Sequence, residues 1–171
     1  MKTFEELKEE LLTRAKNAGA CQSGYTMGLR SNTKADLLKA ITKNWFWVLR
    51  DAKIIDAEYL EDNFTEEELS QAGIYTKNTH EVRTASFACG SATVNACGSA
   101  TVKACGSATV NACGSATVKA YNSATVKAYE NSYVEDCTGN IRPESDYAIV
   151  KDYHNHKIYI KKGKFKIIEI D

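Results

Sequence analysis

The sequence carries no excess of charge, no long apolar run and few histidines, and each absence narrows what the chain can be. Twenty-two basic residues balance twenty-two acidic ones, so no whole-molecule field draws it to nucleic acid or to an anionic bilayer. No stretch approaches the roughly 18 consecutive apolar residues that a membrane helix needs. The opening Met1-Lys2-Thr3-Phe4-Glu5-Glu6 is too acidic for a secretory signal. The expected compartment is therefore the cytoplasm, with no membrane partner and nucleic acid disfavoured. No nucleophile with a base, no paired acids and no metal-ligand set stand out. The expectation is a protein that is not an enzyme and holds no cofactor or metal.

What is present is a repeat. Residues 89 to 104 read CGSATVNACGSATVKA and residues 105 to 120 read the same sixteen letters again. Each block holds two octads of the form Ala-Thr-Val-x-Ala-Cys/Tyr-Gly/Asn-Ser. Degenerate copies at Thr84 to Ser91, Ala124 to Asn131 and Ser132 to Gly139 bring the array to about seven octads. Helical solenoids need repeats of roughly 33 to 47 residues, whereas eight residues centred on β-branched Thr-Val suit one strand and one corner. Strand alternation points Ala92, Val94, Ala96 and Gly98 inward and Thr93, Asn95, Cys97 and Ser99 outward. Because eight is even, every octad keeps that parity. The x position alternates Asn95, Lys103, Asn111, Lys119, so a full coil should take two octads on opposed sides.

Stacking such coils puts like on like. One face should carry Thr93, Thr109 and Thr125, then Asn95, Asn111 and Lys127, then Cys97, Cys113 and Tyr129. The other should carry Thr101 and Thr117, then Lys103, Lys119 and Glu135, then Cys105, Tyr121 and Cys137. This geometry splits the repeat cysteines between two faces, so they cannot close around one ion, and reduced thiols are expected. Cys21 and Cys137 receive no role.

Residues 1 to about 75 read as helices. Thr3 with Glu6, Thr33 with Asp36 and Thr65 with Glu68 are capping boxes. The second helix is expected to run from Thr33 through Leu49, with short helices near Gln22 to Leu29 and Asp56 to Asp62. Trp45-Phe46-Trp47 cannot all face one side of a helix, so Trp45 and Trp47 are candidates for a partner surface. After Gly139 the segments Tyr147 to Val150, Lys157 to Lys161 and Lys164 to Ile168 read as strands, with turns at His154-Asn155-His156 and at Gly163. His80 falls in the linker. The chain is thus expected to be α+β: a helical domain and N-terminal cap over 1–78, a two-sided octapeptide β-solenoid over 79–139 and a C-terminal hairpin cap over 140–171.

The octad, with its helical head and strand-rich tail, resembles uncharacterised bacterial repeat proteins of mobile elements and prophages, whose consensus is near Ala-Thr-Val-x-Ala-Tyr-x-Ser. The resemblance covers residues 84 to 139, departs at the sixth position where four octads carry Cys, and implies a fold and a genomic setting. The outward Thr rows also resemble insect-type antifreeze solenoids, although those commonly present Thr-x-Thr where this chain has Thr-x-Cys. The leading expectation is a binding or structural protein that meets a protein partner through Thr93, Asn95, Thr109, Asn111 and Thr125 or through Trp45 and Trp47. A solenoid face can also pair with a second copy. Ice binding through the Thr rows is the alternative.

Overall fold

The computed structural model describes residues 1–168 and 170 and divides the chain into two compact units, Met1–Thr76 and Lys77–Asp171. The first holds α1 (Phe4–Asn17), α2 (Gln22–Leu29), α3 (Lys34–Lys43), α4 (Ala57–Asn63), α5 (Glu66–Gln71) and a short strand, β1 (Ile74–Tyr75). All three capping boxes form, each Thr hydroxyl accepting from the backbone N–H three residues on. Leu7, Leu11, Leu37, Leu38, Ile41, Trp45, Leu60 and Phe64 make the core.

One helix differs from the sequence reading. α3 closes at Lys43 instead of running to Leu49, and a π-helical turn spans Trp47–Asp51. The Asn44 side chain donates to the Ala40 carbonyl at 2.9 Å, and Ala52 N–H reaches back five residues to Trp47 O at 2.8 Å. Trp45 is buried and Trp47 half-buried, since residues two apart on a helix point to opposite sides.

The second unit is a solenoid of two sheets. One runs β2 (Thr79–Val82), β4 (Thr93–Ala96), β6 (Thr109–Ala112), β8 (Thr125–Ala128); the other includes β3 (Ser86–Ala88), β5 (Thr101–Ala104), β7 (Thr117–Ala120), β9 (Tyr133–Asp136), β10 (Ile149–Asp152) and β11 (Lys157–Tyr159), in that order. Pairing is parallel at an offset of sixteen residues: Asn95 faces Asn111, Lys103 faces Lys119, and Val94 faces Val110. A coil therefore consumes two octads. The first coil is two residues shorter, since Thr79 pairs with Thr93. This pairing also places His80 in β2, at the register of Val94, and not in a linker. Val94, Val102, Val110, Val118, Val134 and Val150 are fully buried, the first four between alanines.

The strands are at most four residues long, and this corrects two expectations about the corner. Alternation does not carry through it. Gly98, placed inward by parity, is exposed at φ +64°, and Cys89 and Cys105, placed outward, are 2% exposed. The corner's left-handed residue is Gly90, Gly98, Gly106 and Gly114, then Asn122 at φ 58° and Glu130 at φ 52°. Glu130 offsets a conformation that disfavours it by accepting from the Gly114 N–H one coil below.

The parallel ladder continues past Gly139, because β10 pairs with β9 in the same sixteen-residue register. Asp136 and Asp152 then occupy the column held by Ala104 and Ala120. Both are buried, and backbone donors satisfy them: Asp136 Oδ1 accepts from Thr138 N–H at 2.7 Å and its Oδ2 from Ile141 N–H at 3.0 Å, while Asp152 Oδ1 accepts from Asn155 N–H at 2.9 Å. A buried carboxylate is tolerable only when paired in this way. The four-stranded sheet stops at β8, where Ala128 bridges Pro143, the chain's one proline. Proline has no N–H to extend the ladder. β11 closes the other sheet as an antiparallel hairpin with β10. The third expected strand, Lys164 to Ile168, is absent from the described residues although Gly163 does make its turn at φ +77°.

Candidate functional site

Two outer faces follow from the register. On the four-stranded sheet, Thr79, Thr93, Thr109 and Thr125 form one column and Glu81, Asn95, Asn111 and Lys127 the next. The valines beneath hold these side chains at the spacing between paired strands, about 4.8 Å. Asn111 Nδ2 donates to Asn95 Oδ1 at 2.8 Å, so the two amides form a ladder and leave one donor set free at one end and one acceptor at the other. Among the described residues the Thr93, Thr109 and Thr125 hydroxyls make no hydrogen bond within the protein. The middle of the face is uncharged, and Glu81 and Lys127 bound it.

The corner beside this face carries Cys97, Cys113 and Tyr129. Cys97 and Cys113 are not joined in a disulfide. Partial burial, then the neighbouring Cys97 thiol and Glu130, push the Cys113 thiol above its ordinary value, which keeps it protonated. Neutral thiols make poor nucleophiles and poor metal ligands.

The second face is different in character. Phe87, Lys103, Lys119, Glu135 and Lys151 stack in one column. Lys119 pairs with Glu135 at 2.8 Å, and Lys103, Lys119 and Lys151 each lie over a ring, of Phe87, Tyr121 and Tyr153. Hydrogen bonding to Glu135 raises the Lys119 pKa. Here each lysine already lies over a ring and Lys119 is ion-paired as well, so this face offers fewer uncommitted groups than the Thr-Asn face.

The expected site residues therefore separate into three places. Thr93, Asn95, Thr109, Asn111 and Thr125 share one surface. Trp45 does not reach any surface: it is 1% exposed in the helical core, which corrects its candidacy as a partner contact, because the helical stripe containing Leu37, Leu38 and Ile41 continues through it. Trp47 is half-buried and lines a cavity of about 330 Å³ among α1, α2 and α3. Sequence reasoning missed that cavity, and its available signal was the pair of glycines in the short segment Gln22 to Leu29.

Among the described residues, no helix is long and apolar enough to cross a membrane and no three His, Cys, Asp or Glu side chains group to hold a metal. Comparison with protein-family models, curated proteins and solved structures finds no match.

Proposed function

We propose that the chain is a non-catalytic binding module that presents the Thr-Asn face of its four-stranded sheet to a protein. The observation that carries the reading is the register itself: hydroxyls and amides that are unspent or paired only with one another, held in straight columns by a core of fully buried valines and alanines. Such a face loses little conformational entropy on binding, so contacts made on it convert efficiently into affinity. The octad consensus supports a mobile-element setting, in which a cytoplasmic protein of this kind engages a host protein. Self-association through the same face is the homomeric form of this reading.

The test compares the intact chain with a variant carrying Thr93→Lys, Thr109→Lys and Asn111→Glu, all on the outer surface. Cross-linking in extract of the native host should yield a defined protein adduct with the former and none with the latter. An equal adduct from the triple variant would refute the assignment. Light scattering on both proteins identifies adducts that are second copies of the chain.

The unbroken column Thr79, Thr93, Thr109, Thr125 favours a second reading, an ice-binding face. Against it stand the charged ends at Glu81 and Lys127 and the short height of the column, about 14 Å over three strand spacings. Thermal hysteresis of the purified chain separates the two: ice binding requires it, and protein binding predicts none.

A further inference from the structure

The helical unit contains a second candidate site, independent of the solenoid face. The 330 Å³ cavity beneath α2 falls within the size range of small-molecule sites, about 300 to 1,000 Å³. Leu11, Leu12, Ile41, Trp47, Val48 and Ile54 supply much of its wall, and no Asp, Glu, Lys, Arg or His lines it. A charged ligand would lose its hydration there without compensation. Cys21, Tyr25 and Asn44 are the polar side chains at its wall. Asn44 spends its Nδ2 on the Ala40 carbonyl, but its Oδ1 accepts no hydrogen bond among the described residues and lies 3.4 Å from where a Gly24 Cβ would stand.

The wall opposite is built to be thin. α2 has no buried side chain, and a Cβ on Gly28 would come within 3.2 Å of Leu12 Cδ2. Two glycines in this eight-residue helix lower its helix propensity, which favours a local opening of α2 that admits a ligand. The π-helical turn adds a further sign, since such turns recur at functional sites, and this one begins at Trp47, which lines the cavity.

We infer that this cavity binds a small, neutral, mainly apolar molecule carrying one hydrogen-bond donor, held by the apolar wall and oriented by Asn44 Oδ1. A fused-ring phenol has the required chemistry.

The experiment titrates the full chain by calorimetry with 1-naphthol, 1-methoxynaphthalene and 1-naphthoate. Saturable binding of 1-naphthol is expected, about tenfold weaker binding of the ether as one hydrogen bond is lost, and none of the carboxylate. Bound 1-naphthol should slow iodoacetamide alkylation of Cys21 at the rim while leaving Cys97 and Cys113 unaffected. Ala40→Phe, which fills the cavity, should abolish binding. Asn44→Ala should bring 1-naphthol down to the affinity of the ether, and it decides the matter if Ala40→Phe does not fold. Absence of saturable binding, equal affinity of phenol and ether for the unaltered chain, undiminished binding by a folded Ala40→Phe variant, or unchanged Cys21 reactivity would each overturn the inference.

Discussion

The corner glycines look interchangeable in the sequence, yet the structure ranks them. Gly98 and Gly114 share φ +64°, so alanine at either pays a left-handed penalty of about 1 to 2 kcal/mol, partly offset by a stiffer unfolded chain. Their surroundings differ. A Cβ on Gly98 would meet nothing within 4 Å, whereas one on Gly114 would stand 2.8 Å from Gly98 O and 3.2 Å from Gly98 Cα. Those atoms are backbone and cannot rotate away, so the coil must shift, at a further cost of about 1 to 3 kcal/mol by analogy with overpacked cores. Gly114→Ala should therefore lower stability by about 2 to 4 kcal/mol and Gly98→Ala by about 1 kcal/mol. Urea unfolding followed by far-UV circular dichroism reads the strands and helices together. Tryptophan fluorescence reads the helical unit separately, because Trp45 and Trp47 both lie there. Equal losses for the two variants, or a larger loss at Gly98, would refute the argument from close approach.

Three further outcomes follow from the same geometry. Ser132 sits fully buried at an octad alanine position with no partner for its hydroxyl among the described residues, so Ser132→Ala should stabilise the solenoid by about 1 kcal/mol in the same urea assay; a loss would show that the hydroxyl is satisfied. Glu130→Ala keeps the left-handed strain and loses the bond to Gly114 N–H, so it should cost about 1 kcal/mol or more, while Glu130→Gly relieves the strain and should be near neutral. Hydrogen bonds from Asn155 hold the Asp152 pKa below its ordinary value. A group depressed in the folded state adds stability above its unfolded pKa and loses it as pH falls through the folded one. Between pH 5 and pH 2 the melting temperature of the unaltered chain should therefore fall further than that of Asp152→Asn, and parallel curves would contradict this role.

Much of the solenoid was legible in the sequence because its rule is redundant. The sixteen-letter block states the period, the Asn and Lys alternation assigns opposed strands, and each valine repeats the same inward vote. What escaped was set by single residues that break the rule. Asp136 reads as a lost alanine, and only its backbone donors show why a carboxylate can stand in that column. Glu130 reads as a decayed corner until its carboxylate is seen on Gly114. The end of α3 depended on Asn44 outweighing an apolar pattern that otherwise continues to Leu49, and the burial of Cys105 on a corner that strand parity does not describe. The Thr-Asn face needed only periodicity and was visible at once. The cavity beneath α2 needed three helices in place, and the glycine pair in Gln22 to Leu29 is its one local trace.

The account rests on one coil consuming sixteen residues. Spin labels at Thr93 and Thr125 on a cysteine-free background test this directly, since two coils separate these positions and their backbones should lie about 10 Å apart. Strong dipolar broadening in continuous-wave electron paramagnetic resonance is the predicted result. A coil of eight residues would place them about 19 Å apart at the same strand spacing, and weak broadening matching that distance would contradict the register and the surface derived from it.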